Sequence, residues 1–532
     1  MAKQFYYGGN VLTMEPELYA QALLAESGRI LAVGSRERLE SEAGDAQRID
    51  LRGGVLLPAF LDAHGHISSY AASLLQPGVG EAKSFGEMQA IIRRFLRENQ
   101  VPKGRWVTVK GLDPTQLAEG KAPDRRVLDA AAPDNPLVLQ HQSGHNGVLN
   151  TLALRELGIT ARTPVPEGGR MALEGGEPTG FLEENAFIEA LQRVPMPSPQ
   201  EMGEAFVQAQ RRYAAYGVTT VQDGVVMDLM VDQYRYLCEN KILELDVVAY
   251  GDLRGSDRFL EAFQDHWGVY RDHFKLGGYK TFLDGSPQAR TAWMREPYAG
   301  ATDGYRGYPT LPDAQLLTHI RRALREDRQI LAHCNGDAAA QQYLDAYAQA
   351  LAELDRPRDI RPVMIHAQLL GRDQLPALRA LGMIPSFFVG HVYYWGDVHL
   401  QNFGRARAEA ISPVKSAAEL GLRYTFHQDA PVTEPDMLHT LWCAVNRLTR
   451  DGRCLGPEER VSPLEALRAV TVHAAWQYFE EDQKGSLRPG KRADLVVLDR
   501  DPLQVDPLEL RNLRVLATFK DGKAQYRAED WA

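Results

Sequence analysis

The sequence predicts an α/β fold: a (β/α)8 TIM-like barrel, a small β-sandwich domain built from both termini, and an insertion over the site. Three observations predict it. First, short apolar runs alternate with helical stretches through the middle of the chain. The runs are VLLPAFLDAH, VTTVQD, LDVVAY, KLGGYKTFLD, QILAHCN, RPVMIHA, MIPSFFV and RYTFHQD, with helical stretches such as LLTHIRRALRED and QLPALRALG between several of them. Repeated βα units make a parallel sheet, and about eight of them argue for a barrel. Periodicity alone does not separate a barrel from a doubly wound sheet.

Second, the two ends of the chain are β-rich and the middle is not. QFYYGGNVLTM and ALLAESGRILAVGS open the chain, and ADLVVLD and LRVLATFKDGKAQY close it. Gly8-Gly9-Asn10, Ser27-Gly28 and Asp521-Gly522 are hairpin signals. A lone piece of a few strands buries too little to be stable, so both ends are expected in one domain, residues 1–55 with 480–532. Third, a segment from about Ser84 to Met202 interrupts the βα pattern of the barrel, residues 56–479.

The chain has 532 residues, 44% hydrophobic and 24% charged, an ordinary globular balance. The formal net charge of -10 and the lack of a sustained Lys/Arg run argue against nucleic acid as a partner. Cys238, Cys334, Cys443 and Cys454 form no C-x-x-C pair, which fits a reduced compartment. MAKQFYYGGNVLTMEPE has no long apolar core before a cleavage site, and no run is apolar enough to span a membrane. A cytoplasmic protein with a small-molecule substrate and no membrane partner is expected. Assembly into a homo-oligomer stays open.

The polar residues at the strand ends point to the chemistry. Leu61-Asp62-Ala63-His64-Gly65-His66 finishes an apolar run on H-x-H. Residues i and i+2 of a strand face one side, so both imidazoles can reach one metal. His333 in LAHCNGD, His366 in VMIHAQ and Asp429 in TFHQDAP end three more such runs. In a barrel those ends converge on one mouth, and imidazole with carboxylate suits zinc and similar divalent ions. Cys334 beside His333 points to the opposite strand face and is not read as a nucleophile.

These segments resemble the amidohydrolase superfamily, in particular the amidohydrolase-3 branch that includes N-substituted formamide deformylases. The resemblance rests on GGVLLPAFLDAHGH, HNGVLNTLAL, GEPTGFLEENA, YKTFLDGS, AHCNGDAA, IHAQ, HVYYWGD, DAPV and GSLRPGKRADLVVLD, which cover nearly the whole chain in order. It implies a barrel beside a split β-sandwich. It also implies that His64 and His66 bind the more buried metal, that His333 and His366 bind a second, and that a carbamylated Lys280 bridges them. Asp429 would contact the buried metal and shuttle the proton. One or two divalent ions per chain, zinc first, are expected. The sequence departs from its relatives at His427-Gln428-Asp429, where Ser commonly precedes the aspartate, and at His333-Cys334-Asn335-Gly336-Asp337. His427 is read as a partner of the ligands.

The expected reaction is hydrolysis of a C–N bond in an amide, formamide or cyclic amide by metal-activated water, with Asp429 as general base and then acid. His145, Glu184 and His391 are candidates for substrate contact, with Tyr393, Tyr394 and Trp395 beside His391 as an apolar wall or as simple packing. A mononuclear deaminase is the alternative enzyme, and a scaffold that has lost its chemistry the non-enzymatic one. The lysine in YKTFLDGS favours the bridged hydrolase.

Overall fold

A computed structural model describes residues 3–141, 146–166, 168–195, 197–355 and 358–531. Its centre is one sheet of eight strands: β1 (Phe60–Leu61), β2 (Val218–Val226), β3 (Asp246–Asp252), β4 (Phe274–Phe282), β5 (Gln329–Cys334), β6 (Val363–His366), β7 (Ile384–Phe387) and β8 (Thr425–Phe426). Neighbours in the sheet are neighbours in sequence, and every pair is parallel. Helices such as Asp313–Glu326 and Asp337–Ala352 cross between strands. The sheet curls until its ends meet. Beyond β8 the Asp429 amide donates to the His64 carbonyl at 3.3 Å, and the His66 amide donates to the Ala430 carbonyl at 2.8 Å.

The strands are apolar on both faces, as a parallel sheet covered by helices requires. Leu61, Val248, Tyr250, Leu331, Val363 and Ile384 fill the inner face as one buried cluster. Strand β4 carries an irregularity with a consequence. Its register against β3 pairs Leu276 with Ala249 but Gly278 with Tyr250, so Gly277 is an extra, bulged residue. A Cβ at Gly277 would lie 2.6 Å from Tyr250 Cζ and 2.7 Å from Val248 Cγ1, which only glycine avoids. The bulge resets the alternation of the strand. Lys275 pairs with Val248 and Lys280 with Asp252, so both lysines share the inner face.

The chain ends meet in a six-stranded sheet. Asn10–Leu12, Tyr19–Ala20 and Val55–Pro58 join Leu495–Leu498, Val515–Lys520 and Lys523–Arg527. A four-stranded sheet from residues 4–50 shares a buried cluster with it, Tyr6, Leu23 and Ile49 packing with Leu56, Leu495 and Phe519. Tyr70–Ala205 is a separate compact unit. It has its own five-stranded sheet and a core of Met88, Ile92, Val109, Leu128, Leu139 and Val148. Among the described residues no helix is long and apolar enough to cross a membrane.

A buried ion network ties the starts of β3 and β4 to the terminal segments. Glu480 binds Lys275 and, at 2.6 Å, Lys484. Asp246 binds Lys484 at 2.7 Å and Lys520 at 3.0 Å. Burial pushes the Glu480 carboxyl up, but Lys275 and Lys484 outweigh it and bring the group down to about 2. A depressed carboxylate stabilises the fold above its unfolded value, and that contribution is lost as pH falls toward the folded value. Acid unfolding of the wild type is therefore expected to steepen below about pH 4.5, the ordinary glutamate range. Glu480→Gln leaves buried Lys275 without its carboxylate, while Lys484 keeps Asp246, and is expected to cost about 3–5 kcal/mol near neutral pH, read by chemical denaturation.

Candidate metal centre

The curl of the sheet brings six of the predicted residues to the C-terminal ends of the strands. His64 and His66 follow β1, Lys280 lies near the end of β4, His333 in β5, His366 ends β6, and Asp429 follows β8. Asp429 Oδ1 lies 3.4 Å from His64 Nε2 and 3.2 Å from His66 Nε2. Lys280 Nζ lies 3.4 Å from His64 Nε2. On the other side, His366 Nε2 is 3.9 Å from Asp429 Oδ2 and 3.1 Å from His333 Nδ1. One ligand atom each from His64, His366 and Asp429 falls within 4.8 Å of the others.

The surrounding hydrogen bonds set which ring nitrogens face inward. The Gln222 amide nitrogen donates to the Ala63 carbonyl at 2.8 Å and to the Tyr478 hydroxyl at 3.0 Å, so its oxygen is the acceptor facing His64 Nδ1 at 2.6 Å. His64 therefore carries its proton on Nδ1 and turns a bare Nε2 to the centre. His366 Nδ1 lies 3.1 Å from His427 Nε2, and His427 Nδ1 lies 2.9 Å from Ser386 Oγ. That chain fixes the His366 ring from behind. His333 Nε2 sits 3.3 Å from the Gly285 carbonyl and 3.0 Å from Asn335 Nδ2. Partners of this kind orient metal-binding imidazoles and raise their basicity.

Two donors sit on unusual backbone. His366 has φ 72° and Asp429 φ 55°, in the left-handed region that non-glycine residues seldom enter. Val363 and Ile365 point into the barrel core, so strict alternation would send His366 outward. Its left-handed turn returns the ring to the mouth. Such positions cost roughly 1–3 kcal/mol each and persist where the surroundings over-determine them.

The electrostatics favour a bound cation. Burial lowers the Lys280 amine to about 7 against the opposing pull of Asp429 and Asp252. Burial, helped by Lys280, lowers His333 to about 4. Burial raises the Asp429 carboxyl, but His66, His427 and Lys280 outweigh it and hold the group below its usual value. Burial thus disfavours the charged form of His333 while Asp429 stays an ionised carboxylate. Asp429 Oδ1 is buried and accepts no well-aligned hydrogen bond. Two donors sharing a tetrahedral centre with bonds of about 2.0–2.2 Å lie about 3.3–3.6 Å apart. The spacings of 3.4 and 3.2 Å from Asp429 Oδ1 to His64 Nε2 and His66 Nε2 are close to that. The donor set fits a divalent ion.

His391 opens the helix His391–Phe403 after β7 and is joined to the centre through Phe388, whose ring lies 4.7 Å from His391 and 5.4 Å from His427. Glu184 ends the strand Glu177–Glu184 within the Tyr70–Ala205 unit, and His145 lies outside the described residues. Asp284 does not pair with Lys280; it accepts from the backbone amides of Trp293, Asn335 and Gly336 at 2.7–3.0 Å. Cys334 is buried, which raises its thiol well above the ordinary value. Gln222 and Ser386 were not singled out in the sequence. The Gln of VTTVQD, two residues after an inward Thr220, is the available signal for the first.

The sequence profile of the amidohydrolase family matches residues 47–526. An N-substituted formamide deformylase of Arthrobacter pascens is 29% identical, over 95% of this chain and 95% of that one. The protein LONG AFTER FAR-RED 3 of Arabidopsis thaliana is 28% identical, over 97% of this chain and 90% of that one. The crystal structure of an uncharacterized metal-dependent hydrolase from Pyrococcus furiosus superposes with a TM-score of 0.76 at 25% identity, over 94% of this chain and all of that one.

Gln222→Leu removes the acceptor that holds the His64 proton on Nδ1. Metal affinity measured by chelator competition is expected to fall about 10- to 100-fold with the fold intact. An unchanged affinity would mean that Gln222 does not orient His64.

Proposed function

Because the chain belongs to the amidohydrolase family, we propose that it is a metal-dependent hydrolase that cleaves a C–N bond in a small amide, formamide or cyclic amide. The observation that carries this reading is the buried Asp429 carboxylate, with imidazole nitrogens beside both its oxygens and, among the described residues, no hydrogen bond of its own on Oδ1. The deformylase among the relatives supports the choice of bond.

His64, His66 and Asp429 hold one divalent ion in this reading, zinc or a similar metal, and His333 and His366 a second. A bound divalent ion polarises a carbonyl and brings the pKa of water near neutrality. Asp429 takes the proton of the attacking water, Oδ1 staying with His64 and His66 and Oδ2 carrying the proton. It then returns that proton to the departing nitrogen, which is a poor leaving group as an anion. Lys280, with its amine lowered to about 7, supplies a neutral nitrogen. Addition of that nitrogen to CO2 with loss of one proton gives a carbamate, whose two oxygens suit a place where an ammonium would repel bound cations. The compact trio of His64, His366 and Asp429 supports a one-metal form of the same chemistry. The substrate is a small molecule, and neither nucleic acid nor membrane has a part in this reading of a cytoplasmic enzyme.

The test is turnover by metal-loaded protein of N-formyl amines, N-acyl amino acids, cyclic amides and esters. Amide hydrolysis abolished by chelation is expected; hydrolysis of esters alone would overturn the C–N assignment. Asp429→Asn at matched metal loading is expected to lose about 10²–10⁴ in turnover. Loss of metal and rate together would assign Asp429 mainly to binding. Lys280→Ala is expected to lower the metal stoichiometry and the rate, with partial recovery of both in a short carboxylic acid. Full metal content and rate in that variant would remove Lys280 from the centre.

A further inference from the structure

His391 carries a second histidine behind it. His391 Nδ1 lies 3.2 Å from His399 Nε2, eight residues further along the same helix, and the rings stack at 5.5 Å and 8°. His399 is fully buried, and among the described residues its Nδ1 has no hydrogen-bond partner. Among the described residues no hydrogen bond is formed by His391 Nε2, the outer nitrogen of the pair. Phe388 and Trp395 flank His391, their rings at 4.7 and 4.5 Å, and Phe388 in turn lies 5.4 Å from the His427 ring.

One proton lies between the two rings, and its position decides what His391 offers. If His391 Nδ1 carried it, His399 would hold a second proton on Nδ1, an orphaned N–H donor in the protein interior. Such donors are rare in folded proteins, rarer than acceptors that lack a partner. If His399 Nε2 carries the proton and donates it to His391 Nδ1, the orphan behind the pair is a lone pair instead, and the N–H without a described partner is the outer one, His391 Nε2. Both rings then also hold their intrinsically preferred Nε2–H form. Burial keeps both imidazoles neutral, lowering His399 to about 4 and His391 well below its usual value.

We propose that His399 is a positioning residue that locks His391 as a neutral Nε2–H donor, and that this N–H binds an acceptor atom of the substrate beside the Phe388–Trp395 wall. The inference rests on the hydrolase reading for its substrate. It adds His399, the tautomer and the direction of the hydrogen bond. A neutral donor recognises a carbonyl, carboxylate or ether oxygen, and gives nothing to an ammonium.

The experiment combines ring-nitrogen NMR on protein with 15N-labelled histidine and kinetics of four variants at matched metal content. In the wild type the resonances lost in His391→Gln are expected to be a protonated Nε2 and a bare Nδ1. His399→Leu removes the donor and His399→Glu reverses it, moving the His391 proton to Nδ1. Both are expected to lose roughly 10- to 100-fold in kcat/KM, mostly through KM, as His391→Gln does. His399→Gln, whose amide N–H can take the place of the ring N–H, is expected to recover most of the loss. A purely structural His399 would move the melting temperature and spare the KM-against-kcat split. A protonated Nδ1 on wild-type His391, or wild-type KM in both His399→Leu and His399→Glu, would overturn the proposal. The NMR arm needs no turnover. Failure of the hydrolase reading would show instead as an inactive metal-loaded wild type, and the tautomer would still decide for or against the dyad.

Discussion

The site depends on one junction, where the first strand of the sheet meets the last. The His64 carbonyl accepts from the Asp429 amide, and the His66 amide donates to the Ala430 carbonyl. These two hydrogen bonds hold together residues 365 positions apart in the chain, counting from 64 to 429. They also put the carboxylate within 3.2–3.4 Å of both imidazoles that follow β1. Neither β1 nor β8 is long; each is two residues in the regular ladder. The geometry is therefore set by the curl of the six strands between them and by the left-handed turn at Asp429. Local strain of roughly 1–3 kcal/mol per such residue is small against a core of this size.

Strand β4 shows how the fold treats buried charge at its two ends. Lys275 and Lys280 share the inner face because Gly277 is bulged out of register. Lys275 is matched by Glu480, inside a network that includes Lys484, Asp246 and Lys520. Lys280 has no ion pair among the described residues, and its nearest polar contact is an imidazole nitrogen. A buried amine without a counter-charge discharges rather than remain an ion. The start of the strand neutralises its lysine with a carboxylate for stability. The end leaves its lysine reactive, beside a carboxylate that is itself occupied by two histidines.

Much of this was legible in the sequence, for a physical reason. Strand ends converge in a parallel curled sheet whatever the loops do, so His64, His66, His333, His366 and Asp429 could be gathered from their places at the ends of apolar runs. In the structure the Lys280 amine lies over the Phe282 ring at 5.2 Å, as the period of two requires of residues i and i+2. The period fails where the backbone departs from ideal. It would turn His366 away from the mouth and would place Lys275 and Lys280 on opposite faces. A left-handed residue and a bulge are tertiary facts that leave little trace in composition. Partners through space were harder still. Gln222 lies 158 positions from His64 and Ser386 lies 41 from His427; the period of two turns Gln222 inward, but neither segment announces its partner.

The chain matches relatives that carry unlike names over most of their length, so discrimination between substrates is to be sought in what surrounds the donors. Around the His366 side the surroundings are aromatic. Phe388 lies between His427 and His391, and Trp395, half-buried, lies 6.0 Å beyond it. An apolar wall discriminates weakly, since one methylene more or less is worth about 10- to 200-fold. A buried polar group discriminates strongly, because a substrate that leaves it unpaired loses the bond and strands the group. In this wall the polar group is His391. Its ring is sandwiched between Phe388, Trp395 and His399, so it cannot turn to find another partner. A side chain fixed in that way selects by the position of one acceptor atom more than by the bulk of the group that carries it.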